Sequence, residues 1–232
     1  MNHLLLFVEN DDPMAAIIFV GIAVIVITVI TVISRRYERR RAESFVEMVE
    51  DLGLVFSKED EGGPGSRLGL FQVGNVGRGR KMKNVVSGVW SGEDLVFCDY
   101  KYVTGHGKRS RRHSQSLVIL TLNGDCPNLL MMPEGIFSKV VQAFGAADIN
   151  FPSNPEFSKR FILRGDDEDA IRERFDFDLL EFFEGCPGVS LEVRDGELVF
   201  YRHNRRCKPE ELEAFFEEAA EVKAALEGEP QS

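Results

Sequence analysis

Along this chain the apolar positions fall into three patterns: an unbroken run, a period near 3.6, and a period of two. The unbroken run is residues 14–33, MAAIIFVGIAVIVITVITVI, with no charge and no polar side chain beyond two threonines. At about 1.5 Å per residue a helix of this length spans about 30 Å, the thickness of a bilayer's hydrocarbon core. Asp12 suits the N-cap, and Pro13 suits the first turn. The Val and Ile content favours a strand in water, but a lone strand in lipid leaves its backbone unpaired, so a helix is expected. Thr28 and Thr31 then bond back to carbonyls of the preceding turn. The flank before the run has no Lys or Arg, the run is long, and no small-residue cleavage site follows it, so it reads as a retained anchor.

The 3.6 period follows directly. After SRRYERRR, the stretch AESFVEMVEDLG sets Phe45, Met48, Val49 and Leu52 on one helical face, with Gly53 placed to end it. Residues 34–53 are therefore an amphipathic juxtamembrane helix continuous with the span. The same period predicts a helix over 134–145 and a final helix opened by Pro209, with Leu212, Phe215, Phe216, Ala219, Val222 and Leu226 on one face.

The period of two marks strands. LVFS is followed by a polar loop, KEDEGGPGS, and NVVSGVW and DLVFCDYKYV flank the turn SGE as a hairpin. In the second strand Val96, Cys98, Tyr100 and Tyr102 share one face, and Leu95, Phe97, Asp99 and Lys101 the other. QSLVILTL is apolar on both faces and is expected to be central. FSKRFILRG reads as a strand, followed by Asp-capped helical segments. VSLEVRDGELVFYRH is a hairpin in which Asp195-Gly196 suits a type I′ turn. The fold class is α+β: an N-terminal transmembrane helix, then a domain with a mostly antiparallel sheet and packed helices. The boundaries are a short N-terminus over 1–13, the span over 14–33, the juxtamembrane helix over 34–53, the domain over 54–227 and a tail over 228–232. Possible halves of the domain are 54–150 and 151–227, each ending strand, strand, helix.

The single N-terminal span, the VFCDYKY strand, LLMMPEG and DINFPSNPEFSKRFILRG together resemble a group of uncharacterised bacterial single-span membrane proteins with a cytoplasmic α+β domain. The resemblance covers most of that domain and implies a bacterial inner membrane. It brings no catalytic residue.

Charge changes the picture more than composition does. Arg35, Arg36, Arg39, Arg40 and Arg41 follow the span against Glu38 alone, which places the N-terminus outside and the domain in the cytoplasm. Four cysteines with no close pair, Cys98, Cys126, Cys186 and Cys207, read there as free thiols. Setting aside the five arginines and four acids up to Arg41 leaves 23 bases and 34 acids. Twelve of those bases sit in three short segments in or beside loops. These are Arg78, Arg80, Lys81 and Lys83; Lys108, Arg109, Arg111 and Arg112; and Arg202, Arg205, Arg206 and Lys208. Concentrated bases on an acidic domain suit anionic lipid headgroups or another anionic ligand, at about 1 kcal/mol per base near a membrane. Three separately solvated loops are the plainer alternative. Nucleic acid is disfavoured by the net charge and the lack of interleaved aromatics apart from Tyr201.

Other chemistry is poorly supported. In GNVGRGRK the Gly74–Gly79 spacing matches a phosphate loop, but Arg80 stands where Lys is needed and a strand follows, so it reads as a glycine-rich turn. His106, His113, His203 and Cys207 match no zinc spacing. Ser87 and Cys98 lack a local nucleophile signature. Neither a cofactor nor a metal is expected. The residues favour a membrane-tethered interaction or scaffold domain with lipid and protein partners. The alternative is a membrane-bound enzyme whose site is assembled from distant residues, marked by a deep pocket of convergent Asp, His, Cys or Arg.

Overall fold

The structure is a computed structural model and describes residues 13–60, 63–136 and 147–228. It opens with one 39-residue helix, α1 (Pro13–Asp51), which runs through the arginine cluster without a break. Thr28 and Thr31 donate to the carbonyls of Val24 and Ile27 at 2.8 and 2.7 Å, closing their hydroxyls within the helix. The large apolar side chains of residues 14–33 are exposed all round. A helix apolar on every side needs an apolar solvent, and this one is long enough to cross a membrane. Compact packing divides the chain between Glu43 and Ser44, and the second unit has its own core.

In that unit eight strands form one antiparallel sheet: β1 (Val55–Glu59), β2 (Arg78–Trp90), β3 (Glu93–Thr104), β4 (Arg111–Thr121), β5 (Leu129–Pro133), β6 (Phe161–Gly165), β7 (Val189–Arg194) and β8 (Glu197–Arg202). Their spatial order is β1-β2-β3-β4-β8-β7-β5-β6. The sheet interleaves the two stretches: β5 pairs with both β6 and β7. As expected, β4 is central and buried on both faces over Leu117, Val118, Ile119 and Leu120. The turn Asp195-Gly196 has φ of 52° and 78°, the two positive values a type I′ turn demands.

One sheet face carries Phe97, Val118, Leu129, Leu191 and Phe200. Against it pack Phe45 and Val49, the short helices α3 (Pro155–Arg160), α4 (Glu168–Arg174) and α5 (Phe177–Glu184), and the long α6 (Leu212–Glu227). The core is built largely on phenylalanine: Phe97 meets Phe45, Phe215 and Phe216 at ring distances of 5.3–6.1 Å. Asp167 and Asp176 cap α4 and α5, accepting from Ala170 and Leu179 N–H at 3.0 and 2.9 Å.

The opposite face carries Val96, Cys98, Tyr100, Tyr102, Leu117 and Tyr201, the alternation expected of β3. Part of its cover is an element the periodicity misses, a 3-10 helix (Pro64–Leu70) running into one helical turn, α2 (Gln72–Asn75). Leu68, Phe71, Val73 and Val76 are its anchors. This strap is fastened by polar groups. Arg67 reaches Glu197, Asp94 and Thr121, while Glu192 accepts the Gln72 N–H at 2.8 Å.

Three readings need correction. In KEDEGGPGS, Lys58 and Glu59 belong to β1 and Pro64 opens the 3-10 helix, so the loop is shorter than its polarity implies. In FSKRFILRG only Phe161–Gly165 is strand, because Asn154 caps a helix that Pro155 starts. In GNVGRGRK, Gln72–Asn75 is helical and the bases from Arg78 onward lie on β2 rather than in a turn. The helix expected over 134–145 lies largely outside the described residues.

A candidate anion-facing surface at one end of the sheet

The antiparallel register brings together the segments that sequence separates. Arg78 pairs with Val103, which pairs with Arg112, and Lys81 pairs with Lys101, which pairs with Ser114. The start of β2, the end of β3 and the start of β4 thus share one end of the sheet. β8 ends there too, since Leu117 faces Tyr201 and the Ser116 N–H donates to Arg205 O at 3.0 Å. Bases spread over 130 positions occupy four neighbouring strand ends. They are less loop-borne than expected: Arg78–Lys83, Arg111, Arg112 and Arg202 are on strands.

The twelve bases then divide in two. Four are neutralised: Lys83 with Glu59 at 3.2 Å, Arg206 with Asp99 at 2.7 Å, Lys208 with Glu211 at 2.8 Å, and Arg202 with Glu218. The Arg206–Asp99 pair is structural. The Asp99 carboxylate is fully buried and also accepts from Asn84 Nδ2 at 2.8 Å and Ser116 Oγ at 2.6 Å, so its charge is hydrogen-bonded as burial requires. The other eight, Arg78, Arg80, Lys81, Lys108, Arg109, Arg111, Arg112 and Arg205, are exposed and, among the described residues, have no carboxylate within 4 Å.

Backbone and aromatic groups hold this end rigid. Arg78 bridges to Gly105 O and to Ser110 Oγ, tying β2 to the β3–β4 turn. Gly105 is required in that turn: its φ is +74° and a Cβ would stand 2.4 Å from Arg109 O. His113 stacks on Tyr102 at 4.6 Å and 13°, its two ring nitrogens engaging Thr104 Oγ1 at 2.9 Å and Asn204 Oδ1 at 3.0 Å. Its ring lies 5.5 Å from that of His203, whose pKa burial lowers to about 4, with help from His113. Neutral His203 and the Tyr102 phenol, pushed up by burial to about 12, add no charge to the basic end near neutrality.

Sequence reasoning separates His113 from His203, and the fold makes them neighbours. Among the described residues no three His, Cys, Asp or Glu side chains converge as metal ligands do. Cys98 is buried and its thiol pKa is raised well above the usual value by that burial, so it lies far from the thiolate a nucleophile needs. Ser87 pairs in the β1–β2 and β2–β3 ladders, with Val55 and Val96. The arrangement at the basic end can hold an anion by charge and by guanidinium hydrogen bonds.

No family model matches the chain, and no curated protein does. A solved structure does: the crystal structure of the mycobacterial trehalose monomycolate transport factor A, TtfA. The identity is 13%, the TM-score 0.58, and the match covers 85% of this chain and 98% of that one. The likeness is one of fold, an antiparallel sheet with packed helices.

Proposed function

We propose that this protein is a membrane-anchored accessory factor that works by binding, with its α+β domain on the cytoplasmic side of a bacterial inner membrane. Support for the anchor is the exposed apolar run of α1, and support for the orientation is the cluster Arg35, Arg36, Arg39, Arg40 and Arg41 at its exit. The observation that carries a binding role is the set of eight bases that, among the described residues, lack carboxylates at one sheet end of an acidic protein. Acids outnumber bases, so neutralising partners were available within the chain and are used elsewhere. Their absence here favours an anionic partner from outside, which we take to be lipid headgroups of the inner leaflet. A role beside a protein partner in a transport process is supported by the fold shared with a transport factor.

The test reconstitutes the full chain in nanodiscs of zwitterionic lipid, with and without anionic lipid. Hydrogen exchange of residues 104–113 is expected to slow in the anionic discs. The protection should vanish when Lys108, Arg109, Arg111 and Arg112 are all changed to Gln. It should also vanish in about 1 M salt, where the screening length falls to about 3 Å. Equal exchange in both disc types would end the lipid reading.

A further inference from the structure

Where the strap crosses the sheet near its basic end, it leaves a cavity of about 250 Å³. Ser66, Gly69 and Asn75 line it from the strap, and Arg80, Lys81 and Tyr100 from the sheet. Leu68 and Met82 supply an apolar wall. Its polar groups are unequally committed. Arg80 Nη1 donates to Gly74 O at 3.3 Å and Asn75 O at 2.8 Å, which fixes the guanidinium against the strap. The rest of that fork, the Lys81 ammonium and the Ser66 hydroxyl have no partner among the described residues. Asn75 spends both amide hydrogens on Gly69 O and Phe71 O, at 2.6 and 2.9 Å, so its Oδ1 remains an acceptor. Tyr100 Oη donates to Gly74 O at 3.1 Å and completes the rigid frame.

This donor set is asymmetric. Two cations and a hydroxyl suit a phosphate group, which takes charge-assisted hydrogen bonds from a guanidinium fork and an ammonium. The Asn75 acceptor suits a hydroxyl on the same ligand, and the Leu68–Met82 wall suits its carbon skeleton. We infer that this cavity binds a phosphate ester of a small polyol, carried either by a lipid headgroup or by a free metabolite. The inference rests on reading the basic end as anion-facing, and it turns a diffuse surface into a site with a shape. Gly69 lines the cavity and a Cβ built there meets nothing within 4 Å, so the fold accepts a larger side chain at this edge of the site.

The experiment uses the full chain in zwitterionic nanodiscs with methyl-labelled methionine, taking the Met82 methyl as a local reporter assigned by its loss in Met82→Leu. Glycerol 3-phosphate is expected to shift that methyl saturably, whereas glycerol or inorganic phosphate shifts it weakly. Arg80→Gln should weaken binding about tenfold, the loss of one charge-assisted hydrogen bond, with Arg80→Lys between the two. Gly69→Leu should abolish binding with every cation in place. The Gln variant of Lys108, Arg109, Arg111 and Arg112 should leave it within about twofold, so that the pocket and the lipid surface fail independently. Tighter binding of dihexanoyl phosphatidylglycerol than of glycerol 3-phosphate identifies a lipid headgroup as the source, and equal binding identifies a free ester. A Met82 signal that no phosphate ester moves saturably, or that moves identically in Arg80→Gln and Gly69→Leu, overturns the site.

Discussion

Changing Glu192 to Gln should remove one of two opposing pH dependences of stability that the wild-type protein carries between pH 4.5 and 7. Glu192 is fully buried on β7, where both carboxylate oxygens accept the Gln72 N–H, at 2.8 and 2.9 Å, and one also accepts the Val73 N–H at 3.4 Å. The nearest cation, Arg194, stands 3.7 Å away and is shared with Asp166 at 3.1 Å. Burial outweighs these stabilising contacts and raises the pKa from 4.5 to about 7. Between those values the folded protein holds a proton that the unfolded chain has released. Stability from this group is therefore full below pH 4.5 and is lost as pH rises through 7. At about 1.4 kcal/mol per pH unit the loss amounts to about 3 kcal/mol.

His203 contributes the opposite slope. Its folded pKa of about 4 lies below the usual 6.5, so stability from it grows as pH rises across that window. The two slopes oppose each other, so only the difference between wild type and Glu192→Gln isolates the Glu192 contribution. Urea unfolding followed by the fluorescence of Trp90, which packs edge-on against Phe216 at 5.7 Å, reports that difference. With an m-value of about 2 kcal/mol per molar, the variant's midpoint should exceed the wild type's by about 1.5 M at pH 8.5 and match it at pH 4.5. Parallel midpoints across the range would show that Glu192 ionises as an ordinary carboxylate and that the burial argument is wrong.

Further outcomes follow from how deeply charged and thiol groups are buried. Lys223 is buried on α6 with its ammonium 2.6 Å from Glu93 and 3.5 Å from Glu227, so Lys223→Met should cost about 3 kcal/mol by removing the cation between two carboxylates, with only the Asn123 N–H left on Glu227. Adding Glu93→Gln to it should recover part of that loss in the same urea assay. Cys186 is half-buried while Cys98, Cys126 and Cys207 are buried, so peptide mass spectrometry after brief alkylation of the native protein should find Cys186 modified first. In intact cells an impermeant reagent should leave Cys186 unmodified until the membrane is opened, and prompt labelling would reverse the proposed orientation.

Local pattern sufficed where one face or one turn decides the conformation. Twenty uncharged residues specify a helix that needs an apolar medium, whatever follows them. Asp195-Gly196 specifies its hairpin because few residue pairs tolerate two positive φ values, and Asp167 and Asp176 announce their helices by capping them. The alternation in β3 correctly assigns Phe97 and Tyr100 to opposite faces, since a period of two allows no other division. The strap was illegible because its helical turns are too short to show a period, and what holds them is Glu192, Glu197 and Tyr100, all distant in sequence.

The basic end divides in the same way. The composition of its three segments is local, so the sequence by itself identified all twelve bases. Which of them share a surface depends on strand order and register, and which stay uncompensated depends on where Glu59, Asp99, Glu211 and Glu218 come to lie. Except for Lys208 with Glu211, those are pairings between residues distant along the chain, and only the folded sheet brings them within reach.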